Sequence, residues 1–176
     1  MGLVMGKEKE RENIVHGNKR AGFQITYDGV YDLDELLRAI TGWFSQWVYD
    51  VAPEEHSEKV GSDGKEMKVI IKAFRKVTEY VKFAVEVEIV IYREVDVVVD
   101  YKGKNLKQQK GEVQVRVKTA MQKNWLKTFS AGQEFLRQTY EKYIMKKTLS
   151  NYEDKLRLEG DSLIRLIKEH FAQYHW

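Results

Sequence analysis

The sequence predicts an α+β domain: a curved antiparallel sheet of about four long strands, with a helix near the N-terminus and a long C-terminal helix packed on one face. Two observations predict this class. Between positions 66 and 122, apolar residues recur mainly at every second position, which is the period of a half-buried strand. On either side of this region they recur at intervals of three and four, which is the period of a helix.

Composition limits the class of protein further. The chain has 176 residues, 43% hydrophobic and 32% charged, so it is long enough for one well-buried core and too apolar to be disordered. No apolar run reaches the ~18 residues needed to span a bilayer, so we expect no membrane insertion. The first residues lack the apolar core of a signal peptide and the chain has no cysteine, which together favour a cytoplasmic location.

The N-terminal region predicts an arm, a strand and a helix. Residues 1–21 are polar and mixed in charge, which indicates a flexible arm before an α+β domain at residues 22–176. Phe23, Ile25 and Tyr27 alternate with polar residues, so we expect a short strand that ends in a turn at Asp28-Gly29.

The first helix has a clear start signal. Asp32 is suited to cap the helix, and Glu35 follows three residues later. Apolar residues on one face continue to position 51, where Ala52-Pro53 is expected to end the helix. Residues 54–64 are polar and contain glycine, which predicts a loop.

The strand region predicts a specific hairpin. If residues 78–80 form a three-residue turn, Val77 lies opposite Val81, and Lys72 then lies opposite Glu86. The alternating segment 81–101 would be roughly 70 Å long as one straight strand, so it must bend. Arg93 alone interrupts its apolar row, and we predict a bulge there. A turn at residues 102–105 and a strand at 112–122 complete the meander.

The C-terminal region predicts a helix that begins after Ser130, with Gln133 completing a capping box. Its first half has enough apolar residues to cover the sheet. Its second half, residues 150–176, either folds back at Gly160 or projects as an association helix. The apolar residues of this predicted association surface are Leu156, Leu163, Leu166, Ile167, Phe171 and Tyr174.

Residues 102–128 carry eight basic side chains and one acid, Glu112, which is the charge pattern of a nucleic-acid groove. In the alternative interpretation, Arg116 and Lys118 are neutralised by Glu94 and Asp96 across the hairpin. The candidate nucleic-acid-binding residues are Lys102, Lys104, Lys107, Lys110, Arg116, Lys118, Lys123, Trp125 and Lys127.

Signatures of catalysis are missing from the sequence. It contains no phosphate loop, dinucleotide fingerprint, nucleophile elbow or zinc-type spacing. The acidic residues around His56 lack the spacing of a calcium loop, and capping accounts for the carboxylates of Asp32 and Glu35. We therefore expect a protein that is not an enzyme, with no catalytic or metal-binding residues and no cofactor.

Two resemblances can be stated. The segments ITYDGVYDLDELLRAI, RKVTEYVKFAVEVEI and YEDKLRL are similar to a group of uncharacterised small archaeal proteins, over about residues 22–160. This resemblance implies no activity. In element order alone, the chain also resembles the helix-grip fold of lipid- and hormone-binding proteins, which implies an apolar cavity between sheet and helix.

Three functions follow, in order of preference. The first is a non-catalytic protein-association domain, such as a self-assembling or scaffold subunit, whose partner is a second copy or another protein. The second is sequence-tolerant nucleic-acid binding through the basic hairpin at residues 102–128. The third is an apolar small-ligand carrier.

Overall fold

The computed structural model describes residues 14–17, 22–61, 64–101, 104–130 and 132–173. These residues form a seven-stranded sheet and three helices, so the predicted α+β class is confirmed, although the sheet has seven strands rather than about four. In chain order the elements are β1 (Ile14–His16), β2 (Phe23–Tyr31), α1 (Leu33–Gln46), β3 (Asp50–Val51), β4 (Glu55–Gly61), β5 (Gly64–Lys76), β6 (Val81–Tyr101), β7 (Lys104–Lys123), α2 (Glu134–Thr139), a π-helical turn (Tyr140–Ile144) and α3 (Lys146–Ala172).

The sheet is built around three long strands in the order β7-β6-β5, and every strand pair in the described residues is antiparallel. The free edge of β7 pairs with β2 and then β1, and the free edge of β5 pairs with β4 and then β3. Each edge of the sheet thus contains two short strands in succession, and these strands raise the total to seven instead of the predicted four or so.

The predicted β5–β6 hairpin is confirmed in register. Lys72 lies opposite Glu86, and the backbone N–H of Val77 donates to the carbonyl of Val81 at 3.0 Å. This register places the main apolar row of both strands on one face of the sheet, where it is almost completely buried: Val69, Ile71, Ala73, Val81, Phe83, Val85, Val87, Ile89 and Ile91.

The predicted bulge is confirmed at Arg93. The register of β6 against β7 shifts between Tyr92 and Val95, and Arg93 adopts a left-handed backbone with φ 55°. A Cβ at Gly111 would lie 2.8 Å from the carbonyl oxygen of Tyr92. Strand β7 can therefore lie this close to the bulge only because its residue there is a glycine. The extra residue reverses the alternation, and Val95 therefore faces the same side as Lys110, with 47% of its surface exposed.

The first helix begins as predicted and ends earlier. The Asp32 side chain accepts a hydrogen bond from the N–H of Glu35 at 2.9 Å, which confirms the cap. The helix ends at Gln46, not at Pro53, because the chain turns at Val48, whose φ of 57° is incompatible with a right-handed helix.

Two other N-terminal predictions are wrong, the turn at Asp28-Gly29 and the loop at residues 54–64. Asp28 and Gly29 are not a turn, because both pair with β7 inside the nine-residue strand β2. The predicted loop at residues 54–64 contains β4, which pairs along β5 and is exposed throughout. Within the predicted arm, Ile14–His16 form β1 against β7, and residues 1–13 and 18–21 lie outside the described part of the chain.

The helices α1 and α3 pack on the apolar face of the sheet. Tyr27 of β2 stacks on Phe171 of α3, with ring centroids 4.7 Å apart. The indole N–H of Trp43 donates to the Ser162 hydroxyl at 3.0 Å and joins α1 to α3. The core therefore lies between one face of the sheet and these two helices.

The C-terminal helices differ from the prediction in their boundaries. The helix begins at Glu134, and just before it the Gln133 side chain accepts from the N–H of Ser130 and the Gln133 N–H donates to the Ser130 carbonyl. The interruption lies at residues 140–144, and α3 then continues without a break through Gly160. Gly160 is a packing position: a Cβ there would lie 3.0 Å from the Thr119 side chain of β7. Across the described residues, no helix combines the length and apolar character required to cross a membrane.

Candidate functional site

The predicted basic hairpin is divided by the fold into separate regions. Lys107 and Lys110 are exposed in the N-terminal half of β7, whereas Lys123 and Lys127 lie at the opposite end of this strand, which is 20 residues long. At about 3.3 Å per residue, roughly 40 Å of strand separates Lys110 from Lys123. Lys102 and the side chain of Lys104 lie outside the described part of the structure.

The basic residues in the middle of β7 are paired with acids on β6. Arg116 donates to Glu88 at 3.0 Å, and Lys118 donates to Glu86 at 2.8 Å. The predicted pairing with Glu94 and Asp96 is wrong, because β7 begins at position 104 rather than 112, which moves the register by eight residues. A hydrogen bond from Lys68 lowers the pKa of Glu88, despite the opposing effect of burial, as expected for a charge-balanced ladder.

The aromatic residue of the predicted nucleic-acid groove has a structural role. Trp125 is half-buried, and its indole N–H donates to the carbonyl of Thr78 at 2.9 Å. Its ring lies 5.5 Å from the ammonium of Lys76. The described candidate residues therefore do not form one continuous basic groove.

The predicted association residues lie mostly inside the molecule. Leu156, Leu163 and Ile167 are fully buried, and Phe171 is 3% exposed. Leu166 is half-buried against the same core, and Tyr174 lies outside the described residues. The prediction that this stripe needs a partner to cover it is wrong, because α3 lies along the sheet and α1.

A group of exposed apolar side chains lies instead on the preceding helical segment. Four large side chains there are more than half exposed, and we call them the apolar helical face: Phe135 (79%), Leu136 (55%), Tyr143 (73%) and Ile144 (69%). The sequence-based prediction had the two halves of the C-terminal region reversed, since it assigned Tyr143 and Ile144 to the sheet.

A π-helical turn aligns the residues of this face. The N–H of Met145 donates to the carbonyl of Tyr140 at 3.0 Å, a hydrogen bond across five residues. In an α-helix, residues eight apart are rotated by about 80° from one another. Because the π turn contains one additional residue, we infer that it offsets most of this rotation, so that Tyr143 falls near the row of Phe135 and Ile144 near that of Leu136.

A buried charge cluster holds the π turn against the end of the sheet. Glu141, within the turn, accepts hydrogen bonds from Lys123 (2.5 Å), Tyr80 (2.5 Å) and Arg137 (2.8 Å). Arg137 is only 5% exposed and also pairs with Glu134.

The pKa values in this cluster agree with its geometry. Burial raises the pKa of Glu141, but the hydrogen bonds from Lys123 and Tyr80 and the charges of Lys123 and Arg137 outweigh it and lower the pKa. Burial, with the hydrogen bond to Glu141, raises the pKa of Tyr80. The cluster thus contains a carboxylate and a neutral phenol at neutral pH.

The apolar helical face has a basic border. Lys142, Lys146 and Lys147 are exposed, and none of them forms an ion pair with another described residue. We call these three residues the basic rim. The Lys142 ammonium lies 5.3 Å from the centre of the Tyr143 ring. A surface groove of about 520 Å³ is lined by the two cations Lys142 and Lys146 and by two acids, together with neutral residues: Glu141, Glu153, Gln138, Leu149 and Ser150.

The other groups considered from the sequence, around His56 and at Asp32, have local partners. His56 pairs with Glu54 at 2.9 Å on the exposed strand β4. No group of three or more His, Asp or Glu side chains arranged to hold a metal occurs among the described residues. Asp32 caps α1, as the sequence indicated.

Comparison of the chain with protein-family models, curated proteins and solved structures found no match.

Proposed function

We propose that this chain is a non-catalytic protein-association domain that binds a different protein on the apolar helical face. The observation that carries the proposal is the exposure of Phe135, Leu136, Tyr143 and Ile144 within ten residues of chain. From the size of such side chains, the face exposes roughly 500 Å² of apolar surface, which is near the upper end of the largest patches on ordinary monomers.

The support of the face is rigid, as a docking surface requires. Arg137 and Glu141 lie on the same segment and are held in the buried charge cluster, while Phe135 and Tyr143 point away from it. A docking surface that is fixed before the partner arrives loses less conformational entropy on binding.

Charge favours a different protein over a second copy. A two-fold dimer would bring the face of one copy against the same face of the other, and the two basic rims would then lie side by side. Like charges at such short range oppose association. The sequence from Lys142 to Lys147 contains no acid that could offset this repulsion. Glu153 lines the same groove as Lys142 and Lys146, but it is one carboxylate against the three ammonium groups of the rim.

The first prediction tests the site directly. With a photo-crosslinking benzoylphenylalanine at position 135 or 143, the chain should form a covalent adduct of one defined mass in cells that express it at its native level. Leu158 is the matched control position, because it is 70% exposed but lies on α3 away from the face. Unmodified chain should compete for the adduct, and a chain with Phe135→Ser and Tyr143→Ser should not.

Two results would contradict the proposal. Equal adducts at positions 135 and 158, or none at either position 135 or 143, would show that the face is not a docking surface. An adduct with the mass of two copies of the chain would show that the partner is a second copy and not a different protein.

A further inference from the structure

We infer that the partner docks through an amphipathic helix whose apolar stripe is flanked by acidic residues. This inference rests on the function proposed above. The apolar helical face is the side of a helix, and the backbone groups there are already bonded within the segment. A partner strand would gain no backbone hydrogen bonds from it. A partner helix satisfies its own backbone and needs only side-chain contacts.

The dimensions of the face fit this mode of binding. Phe135 and Tyr143 are eight residues apart, which is about 12 Å along the segment axis. Two helical turns of a partner cover this length and present apolar residues at positions i, i+3, i+4 and i+7. Phe135, Thr139 and Tyr143 form a ridge at intervals of four, and such ridges pack into the grooves of a second helix.

The basic rim specifies the charge of the partner. The Lys142 ammonium lies 5.3 Å from the centre of the Tyr143 ring, and Lys146 and Lys147 are exposed in the next turn of the chain. A partner helix seated on the face places its flanking residues over these ammonium groups. Acidic flanks gain complementary charge there, whereas basic flanks are repelled.

The second prediction uses two labelled synthetic helices with the same leucine stripe, one flanked by glutamate and one by lysine. In fluorescence anisotropy at low salt, the Leu/Glu helix should bind at least about tenfold more tightly than the Leu/Lys helix. The triple variant Lys142→Glu, Lys146→Glu and Lys147→Glu should reverse this preference. Phe135→Ser with Tyr143→Ser should abolish binding of both, and Leu158→Ser should leave it unchanged.

The results distinguish a failure of the acidic-helix inference from a failure of the proposed docking function. Equal binding of both peptides, or an unchanged preference in the triple variant, overturns the acidic-helix partner, and the crosslinking at Phe135 can still succeed. Binding of anionic phospholipid vesicles that the triple variant loses, without discrimination between the peptides, would assign the face to a membrane surface and overturn the inference. A failure of crosslinking at positions 135 and 143 overturns the proposed function itself.

Discussion

His170 is a buried titratable residue on the inner side of α3. It is 5% exposed and packs edge to face on Phe171, with ring centroids 5.8 Å apart. Burial lowers the pKa of His170, and the nearby acids Glu35 and Asp32 only partly oppose this effect. The folded protein therefore favours the neutral imidazole, whereas the unfolded chain binds a proton with a pKa of about 6.5.

The third prediction follows from this difference. Below pH ~6.5 the unfolded chain holds more protons than the folded one, so the free energy of unfolding should fall as the pH drops towards the lowered pKa of His170. Above pH ~6.5 this contribution is constant. Urea unfolding between pH 7.5 and 5 should show a smaller decline in His170→Gln than in the parent chain. The exposed-site variant His56→Gln should behave like the parent, and an unchanged decline in His170→Gln would refute the argument.

At the scale of elements, Glu159 joins three parts of the fold. It is 1% exposed, and its carboxylate accepts from one Arg75 nitrogen at 2.6 and 2.8 Å and from the Tyr49 hydroxyl at 2.7 Å. Arg75 also donates to the carbonyl of Trp47 at 2.7 Å. The ion pair between Glu159 and Arg75 therefore holds α3 against β5 and the end of α1.

The fourth prediction concerns the removal of one charge from this pair. Glu159→Leu should lower the free energy of unfolding by about 3 kcal/mol, because the guanidinium of Arg75, which is only 15% exposed, is left without a counter-charge. Adding Arg75→Leu should recover most of the loss, since a buried pair is often replaceable by apolar residues. The matched control is Asp154→Ala in the exposed Asp154–Arg157 pair, which should cost at most about 1 kcal/mol. A Glu159→Leu cost as small as the control would contradict this role.

Local signals made some elements predictable. The β5–β6 register followed from the requirement that the apolar residues of both strands share one face, and the bulge followed from the charge of Arg93 in an apolar row. Strand β4 gave no such signal, because all its residues are exposed and its order comes from pairing with β5. The end of α1 at Val48 gave none either, since a β-branched residue seldom adopts a left-handed backbone.

The candidate site was only partly predictable. Both halves of the C-terminal region show helical periodicity, and periodicity does not tell which half meets the sheet. The burial of α3 depends on distant contacts such as Gly160 against Thr119 and Trp43 with Ser162. No sequence signal revealed the site, because Glu141 and Arg137 lie on the side of the segment opposite Phe135, and charged residues on a helix normally face solvent. Here the charged side is the inner one, because Glu141 pairs with Lys123 and Arg137.

At the scale of the whole molecule, α3 links the sheet to α1. Leu163 is completely buried among residues of both, whereas Leu158, five positions earlier on the same helix, is 70% exposed. The helix contacts β2 and β7 as well as α1, so its removal would uncover the apolar side of the sheet. We therefore expect sheet and helices to unfold in a single transition.

The fifth prediction compares these two leucines. Leu163→Ala should lower the free energy of unfolding by about 2–5 kcal/mol, because it leaves a cavity in a core shared by every layer. Leu158→Ala should change it by less than about 0.5 kcal/mol. In urea unfolding of both variants, the circular dichroism of the strands and the fluorescence of the tryptophans should change together. A strand signal that survives after the tryptophan transition would mean that the sheet is stable without α3. The apolar residues of α3 would then become available to a partner, and the apolar helical face would no longer be the main docking surface.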